Sequence, residues 1–255
     1  MREKLSIVVI TKNEEKRIEK YFNNVKWADE IIVIDDNSDD KTAEILEKLG
    51  AKVTKNASNG FFYKQRNLGI AKATGDWILQ MDADEVIPDD LREEILQILE
   101  RPTSFSAYSI KRKNFFLGHF MRYGGWYQER TIKLFKKGKA WYTDIGRIHE
   151  IIKVDGDIGM INSDIEHYPF DSISQFVERQ NYYTSVNAEE ILEKRGRLST
   201  KEIKYNIKSR PVRLFWKFYV KKKGYREGIY GFVFCLLFAW VHFMSWSKYW
   251  EMVRE

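Results

Sequence analysis

Residues 77–85 read Trp77-Ile78-Leu79-Gln80-Met81-Asp82-Ala83-Asp84-Glu85, an apolar run too short for a helix that ends in carboxylates. The pattern predicts a strand from Trp77 to Met81, buried on both faces as in a parallel sheet. Two aspartates at a strand exit, one residue apart, can reach the same ion. Mg²⁺ and Mn²⁺ are bound through few carboxylates and complete their shells with phosphate oxygens, so Asp82 and Asp84 point to a ligand carrying a diphosphate. Capping of a helix that opens at Asp89 would occupy Glu85 or Asp89 and leave both aspartates unexplained.

Upstream, short β-branched runs alternate with helical spacing. Leu5 to Ile10 and Ile31 to Ile34 read as buried strands, and Ala51 to Thr54 reads as a further, short strand. Between them lie expected helices over Asn13 to Trp27, with Ile18, Tyr21, Phe22 and Val25 in step, and over Thr42 to Leu49; Lys64 to Ala73 follows. Strands separated by helices build a mostly parallel sheet, and ligands of such sheets sit at the carboxyl ends of the strands. That edge would gather Thr11 to Glu14, the cluster Asp35 to Asp40, and Asp82 to Glu85. Acidic groups there can accept from a base N–H or a ribose hydroxyl, and Asp39 or Asp40 can cap the next helix. Neither G-x-G-x-x-G nor G-x-x-x-x-G-K-[ST] occurs, which disfavours a dinucleotide fold or a P-loop.

Downstream, Asp89 to Glu100 reads as helix and Arg101-Pro102 as a break. Residues 105–165 are aromatic and β-leaning, with turn signals at Gly124-Gly125, Lys137-Gly138 and Asp155-Gly156, so the sheet is expected to continue in mixed or antiparallel form. From Ser172 the chain turns helical. Lys208, Arg210, Arg213, Lys217, Lys221, Lys222, Lys223 and Arg226 then precede the apolar run Ile229 to Met244. That run is shorter than the ~20 residues a bilayer span needs, so the expectation is a segment lying on an anionic membrane surface. A core helix, or pairing of subunits into a homo-oligomer, is the competing reading.

The 255 residues carry a net charge of +6, 44% hydrophobic residues and a single cysteine, Cys235. Such a chain is globular, is drawn to polyanions, and forms no internal disulfide. Without an apolar leader in the first ten residues, the expected compartment is cytoplasmic. The cations gather beside the apolar tail and not across a sheet face, which favours lipid over nucleic acid.

Taken in order, Ser6 to Glu15, Ile32 to Thr42, Gln65-Arg66-Asn67, Gly75-Asp76-Trp77 and Asp82-Ala83-Asp84-Glu85 resemble family 2 glycosyltransferases of the GT-A fold. Phe116-Leu117-Gly118, Gly124-Gly125-Trp126-Tyr127, Arg147-Ile148-His149-Glu150, His167-Tyr168 and Gly224-Tyr225-Arg226-Glu227-Gly228 with Gly231 extend the likeness over nearly the whole chain. They are similar to the branch that adds glucose or a related sugar to the lipopolysaccharide inner core.

The resemblance implies a nucleotide-sugar-binding half over residues 1–104, an acceptor and catalytic half over 105–171, and a helical, membrane-associating region over 172–255. It places Thr11, Asn13, Glu14 and Asp35 or Asp36 around the nucleoside, Arg66 near the nucleotide, and Gly124 and Gly125 beside the donor sugar. Asp82 and Asp84 correspond to the metal-binding pair, His167 to a late metal ligand, and Glu150 to the catalytic carboxylate. The sequence departs from that branch at Asp36, where serine is frequent, and at Gln128-Glu129, where proline and aspartate are common. Glu129 is thereby a rival base.

The expected reaction is metal-dependent, inverting transfer of a hexose, with UDP-glucose as donor, to a lipopolysaccharide-core or other glycolipid acceptor. It would run at the inner face of the plasma membrane. A divalent cation offsets charge on the departing diphosphate, and a base takes the acceptor proton. A nucleotidyltransferase would want a glycine- and lysine-rich phosphate loop after the first strand, which is missing. A non-catalytic membrane or RNA-binding module is the remaining alternative.

Overall fold

The computed structural model describes residues 2–127, 130–144 and 150–254. They form two compact units, Met1–Arg112 with Glu129–His167, and Lys113–Gln128 with Tyr168–Glu255.

In the first unit, strands β1 (Leu5–Thr11), β2 (Glu30–Asp35), β3 (Lys52–Lys55) and β4 (Trp77–Asp82) alternate with helices α1 (Ile18–Val25), α2 (Thr42–Lys48) and α3 (Phe62–Lys72). These strands lie parallel in the order β3-β2-β1-β4, with Thr11 opposite Asp35 and Ile10 opposite Asp82. After β5 (Glu85–Val86) and α4 (Asp89–Glu100), the chain adds β6 (Ala107–Phe116), β7 (His119–Phe120), β8 (Arg130–Lys136), β9 (Ala140–Asp144), β10 (Glu150–Val154) and β11 (Ile158–Phe170). β8 joins β4 antiparallel, with Ile78 opposite Phe135, and the sheet continues through β6 and β11 to β5. β9 and β10 form a separate antiparallel ribbon. The mostly parallel half and the mixed extension are those expected of a GT-A fold.

Period-two alternation sets the two faces of the sheet. Leu5, Ile7 and Val9 point into a core with Ile18, Val25, Leu91 and Ile95, while Val8, Ile32, Ile34 and Ile78 fill the opposite face with Ala73 and Phe135. All are buried, and each side chain of this size stabilises by roughly 1.5–3 kcal/mol relative to exposure.

The helix expected from Asn13 begins only at Ile18. Asn13 takes a left-handed φ of 54°, and the backbone N–H groups of Asn13, Glu14 and Glu15 donate to Ser38 Oγ (2.9 Å), Thr42 Oγ1 (2.8 Å) and Asp40 Oδ2 (3.1 Å). Side chains of the next loop hold these groups, so the first helical turn does not form here. The remaining boundaries of this half move by only a residue or two.

Glu30 staples the opposite edge. Its carboxylate accepts from Ser6 Oγ (2.6 Å), the Thr74 N–H (2.8 Å) and Lys52 Nζ (2.6 Å). Burial alone would raise its pKa, but the bonds from Lys52, Ser6 and Thr74 outweigh it and lower the pKa to about 2. A depressed folded-state pKa stabilises above the unfolded value, and that contribution fades as pH falls from about 4.5 toward 2. Glu30→Gln is expected to cost about 1–2 kcal/mol at pH 7 and almost nothing near pH 2. Urea unfolding at the two pH values checks this.

In the second unit, the outer end of β6 pairs with β7, and the chain continues into α5 (Ile173–Arg195), α6 (Thr200–Lys204), α7 (Arg210–Trp216) and α8 (Gly228–Val253). Single wide π turns, Tyr205–Ser209 and Lys217–Lys221, flank α7. Phe116, Met121, Phe170, Phe176, Phe234 and Cys235 make one core, and Ala188, Ile203, Trp246 and Tyr249 another. Only glycine fits at 231, because a Cβ there would lie 1.9 Å from the carbonyl oxygen of Gly224. α8 is longer than the apolar run read from sequence: it continues through Ser245 to Val253, 26 residues or about 39 Å at 1.5 Å per residue. By length and composition the helical stretch Gly224–Val253 is long and apolar enough to cross a membrane, an 18-residue window of it having a mean hydropathy of 1.7.

Candidate active site

At the exits of β1 and β2, acidic side chains lace two loops together. Asp35, wholly buried, accepts from Thr11 Oγ1 (3.1 Å) and from both the N–H (2.8 Å) and Oγ (2.6 Å) of Ser38. Asp36 accepts from the N–H (2.6 Å) and Oγ (2.9 Å) of Ser58 and faces Lys12 Nζ at 3.4 Å. Asn13 Oδ1 takes the Asp39 N–H (2.9 Å), and Glu14 pairs with Arg17 (2.9 Å). Thr11, Asn13, Glu14, Asp35 and Asp36 therefore do meet at one edge, as the sequence predicts. Asp35 and Asp36 use their oxygens to shape that edge.

The second cluster is centred on Asp82. Arg66 Nη2 donates to Asp82 Oδ1 (2.8 Å), while Lys133 Nζ (3.2 Å) and Arg112 Nη2 (3.4 Å) face Asp82 Oδ2. Glu85, whose side chain is fully buried, bonds Lys133 (2.8 Å) and Arg112 (2.9 Å) and accepts the Asp82 N–H (3.0 Å). Burial would push the Asp82 carboxyl up, but Arg66, then Lys133 and Arg112, hold it well below the usual carboxylate range. Burial also disfavours the charged form of Arg66, and Asp82, Tyr142 and Glu150 more than restore it. Tyr21 lies in the same field, its hydroxyl pushed up by burial and then by Glu85, Asp82 and Asp84.

Arg66 also joins this cluster to the β9–β10 ribbon, because its Nε donates to Glu150 Oε1 and its guanidinium lies over the Tyr142 ring at 5.3 Å. The neighbouring residues of α3 set that reach. Gln65 Nε2 donates to the Asn56 carbonyl (2.5 Å), and Asn67 grips β9 by donating to the Tyr142 carbonyl (2.8 Å) and accepting the Tyr142 N–H (2.8 Å). The other carboxylate oxygen of Glu150, Oε2, is buried and has no hydrogen-bond partner among the described residues. An oxygen placed so can accept a proton from a bound hydroxyl.

β11 runs antiparallel to β5 with His167 opposite Glu85, and this sets His167 Nε2 3.5 Å from Asp84 Oδ1. Both side chains are nearly buried, 12% and 10% exposed. One carboxylate oxygen and one imidazole nitrogen at this separation suit a hard divalent cation whose shell is completed by phosphate oxygens. Asp82, with both oxygens engaged by cations, does not complete a group of three protein ligands, and no such group exists among the described residues.

Gly124 and Gly125 belong to the second unit, where they turn with φ of 83° and 87°; the Gly124 N–H donates to the Lys222 carbonyl (2.9 Å). Glu129 and His149 lie outside the described residues. Arg112 and Lys133 did not emerge from the sequence. Lys133 carried a signal, a lysine inside the apolar strand Ile132-Lys133-Leu134-Phe135; Arg112, in an already basic stretch, carried none.

The chain is similar to known glycosyltransferases. An uncharacterized glycosyltransferase of Rickettsia bellii is 31% identical over 265 residues, covering 98% of this chain and 87% of its own. The lipopolysaccharide core biosynthesis glycosyltransferase LpsC of Rhizobium meliloti is 22% identical over 257 residues, covering 97% and 92%. Among solved structures, Staphylococcus aureus TarS aligns over 87% of this chain and 47% of its own, with 20% identity and a TM-score of 0.46. The family model for glycosyl transferase family 2 matches residues 6–151, more than half the chain. With that match and the Rickettsia bellii relative spanning nearly the whole sequence, the chain is a glycosyltransferase and belongs to glycosyl transferase family 2.

Proposed function

We propose that this glycosyltransferase moves a hexose, with UDP-glucose as donor, to a lipopolysaccharide-core or other glycolipid acceptor, with inversion at the anomeric carbon. The observation that carries the reading is Arg66 holding Glu150 beside the strand exit that bears Asp82 and Asp84. The laced loops at Thr11, Asn13, Glu14, Asp35 and Asp36 frame the nucleoside. Asp84 and His167 would hold the divalent cation, Mn²⁺ or Mg²⁺, which when bound offsets the charge gathering on the diphosphate.

Glu150 Oε2 receives the proton of the acceptor hydroxyl. As that O–H bond breaks, the hydroxyl oxygen forms a bond to the anomeric carbon, and the bond from that carbon to the diphosphate breaks on the opposite face. The electron pair leaves with the diphosphate. Arg66 keeps Glu150 aimed through the bond from its Nε to Oε1.

The acceptor reading is supported by the likeness to LpsC over nearly the whole of both chains. A position at the cytoplasmic face of the membrane is supported by α8, which exposes Ile229, Phe232 and Leu236, and by the eight cations before it. The test is a panel of UDP-, GDP- and dTDP-sugars with Mn²⁺ and core glycolipid, read as nucleotide diphosphate released. UDP released from UDP-glucose is expected, with Glu150→Gln slowing turnover about 10²–10⁴-fold. Release from no donor would sink the reading, and full activity in Glu150→Gln would move the base to Glu129.

A further inference from the structure

The second unit contains a groove that the transfer reaction does not use. It lies between α6, the π turn Tyr205–Ser209 and the last three turns of α8, and has a volume of about 910 Å³. That is the size of a small-molecule site, roughly 300–1,000 Å³. Its walls are apolar, formed by Leu198, Ile203, Ile207, Phe243, Trp250 and Val253.

The rim is cationic. Arg197, Lys204, Lys208, Lys248 and Arg254 border the groove against one acid, Glu251. Three of the cations are engaged: Lys248 donates to Asn181 and Ser185, Arg197 to the Val253 carbonyl, and Arg254 faces Glu251 at 3.8 Å. Lys204 and Lys208 are exposed and have no ion-pair partner among the described residues. They stand four residues apart, where like charges on one helical face repel. An apolar trough with two uncompensated ammonium groups at its lip matches a ligand with a hydrocarbon body and an anionic head.

We propose that this groove binds one acyl chain of an anionic membrane phospholipid, with the phosphate of its headgroup held by Lys204 and Lys208. The proposal rests on the membrane-face reading above. It goes further by placing recognition of a single lipid molecule at the far end of α8, where Lys208, the first cation of the basic run, stands with Lys204.

The experiment uses the full chain and calorimetric titration with dodecyl phosphate below its micellar concentration. Saturable one-to-one binding is expected, at least tenfold tighter than for dodecyl maltoside, with none detectable for inorganic phosphate. Lys204→Glu combined with Lys208→Glu should weaken dodecyl phosphate at least tenfold, and Phe243→Ser, on the apolar wall, should do the same. Circular dichroism establishes that each variant is folded. Equal binding of dodecyl maltoside, binding of inorganic phosphate alone, or unchanged affinity in the folded variants would overturn the proposal. So would affinity that falls as protein concentration rises, since a second copy of the chain would then fill the groove. Sedimentation with phosphatidylglycerol vesicles separates the two claims: a wild-type chain that sediments but takes up no dodecyl phosphate keeps the membrane-face reading and loses the groove.

Discussion

Asp84→Asn is expected to lower kcat by about 10³-fold while leaving the unfolding midpoint within a degree or two of wild type. The side chain faces His167 at 3.5 Å and adds to the field on Arg112 less than Glu85 and Asp82 do, so the cluster keeps its main carboxylates when the Asp84 charge is removed. The amide keeps the shape and loses the anionic oxygen a hard cation requires. Calorimetry of Mn²⁺ binding with UDP present gives a second readout, in which Asp84→Asn abolishes the Mn²⁺-dependent heat. His167→Ala weakens it about 10–100-fold. Asp84→Asn turnover within threefold of wild type, at an unchanged Mn²⁺ requirement, would refute this assignment.

Lys133→Met is expected to act on stability, by about 3–5 kcal/mol. Lys133 is 4% exposed and Glu85 1%, so removing the ammonium strands a buried carboxylate that, among the described residues, retains only Arg112 as an ion partner. Adding Glu85→Leu should recover much of the loss, because an apolar pair of similar volume carries no desolvation cost. Activity in the double variant should stay low, since Glu85 also accepts the Asp82 N–H and thereby sets the turn that presents Asp84. Urea denaturation of the two single variants and the double variant, read as a double-mutant cycle, measures the coupling; an additive result would mean that the two side chains act independently.

The parallel half of the sheet was legible in the sequence because buried strands leave unbroken apolar runs, and the first two helices between them carry apolar residues at helical spacing. The acidic strand exits were legible for the same reason, as polar clusters directly after such runs. The opening turn of α1 was not, because side chains 25–28 residues away capture its backbone donors, and no local pattern records that. Two of the three cations around Asp82, Arg112 and Lys133, escaped for a related reason. They come from β6 and β8, and only the sheet order brings those strands beside β4. At the other end of the chain, the length of the last helix was underestimated because Ser245, Ser247 and Lys248 interrupt the apolar run without breaking the helix.

The ribbon that carries Glu150 pairs strand to strand within itself, stands outside the main sheet, and is fastened to α3 through the amide of Asn67. Its outward positions, such as Trp141 and Ile151, can be rewritten without disturbing a single rung of the main sheet, provided the asparagine clasp survives. Change can therefore accumulate on this one appendage while the sheet beneath it is inherited unaltered.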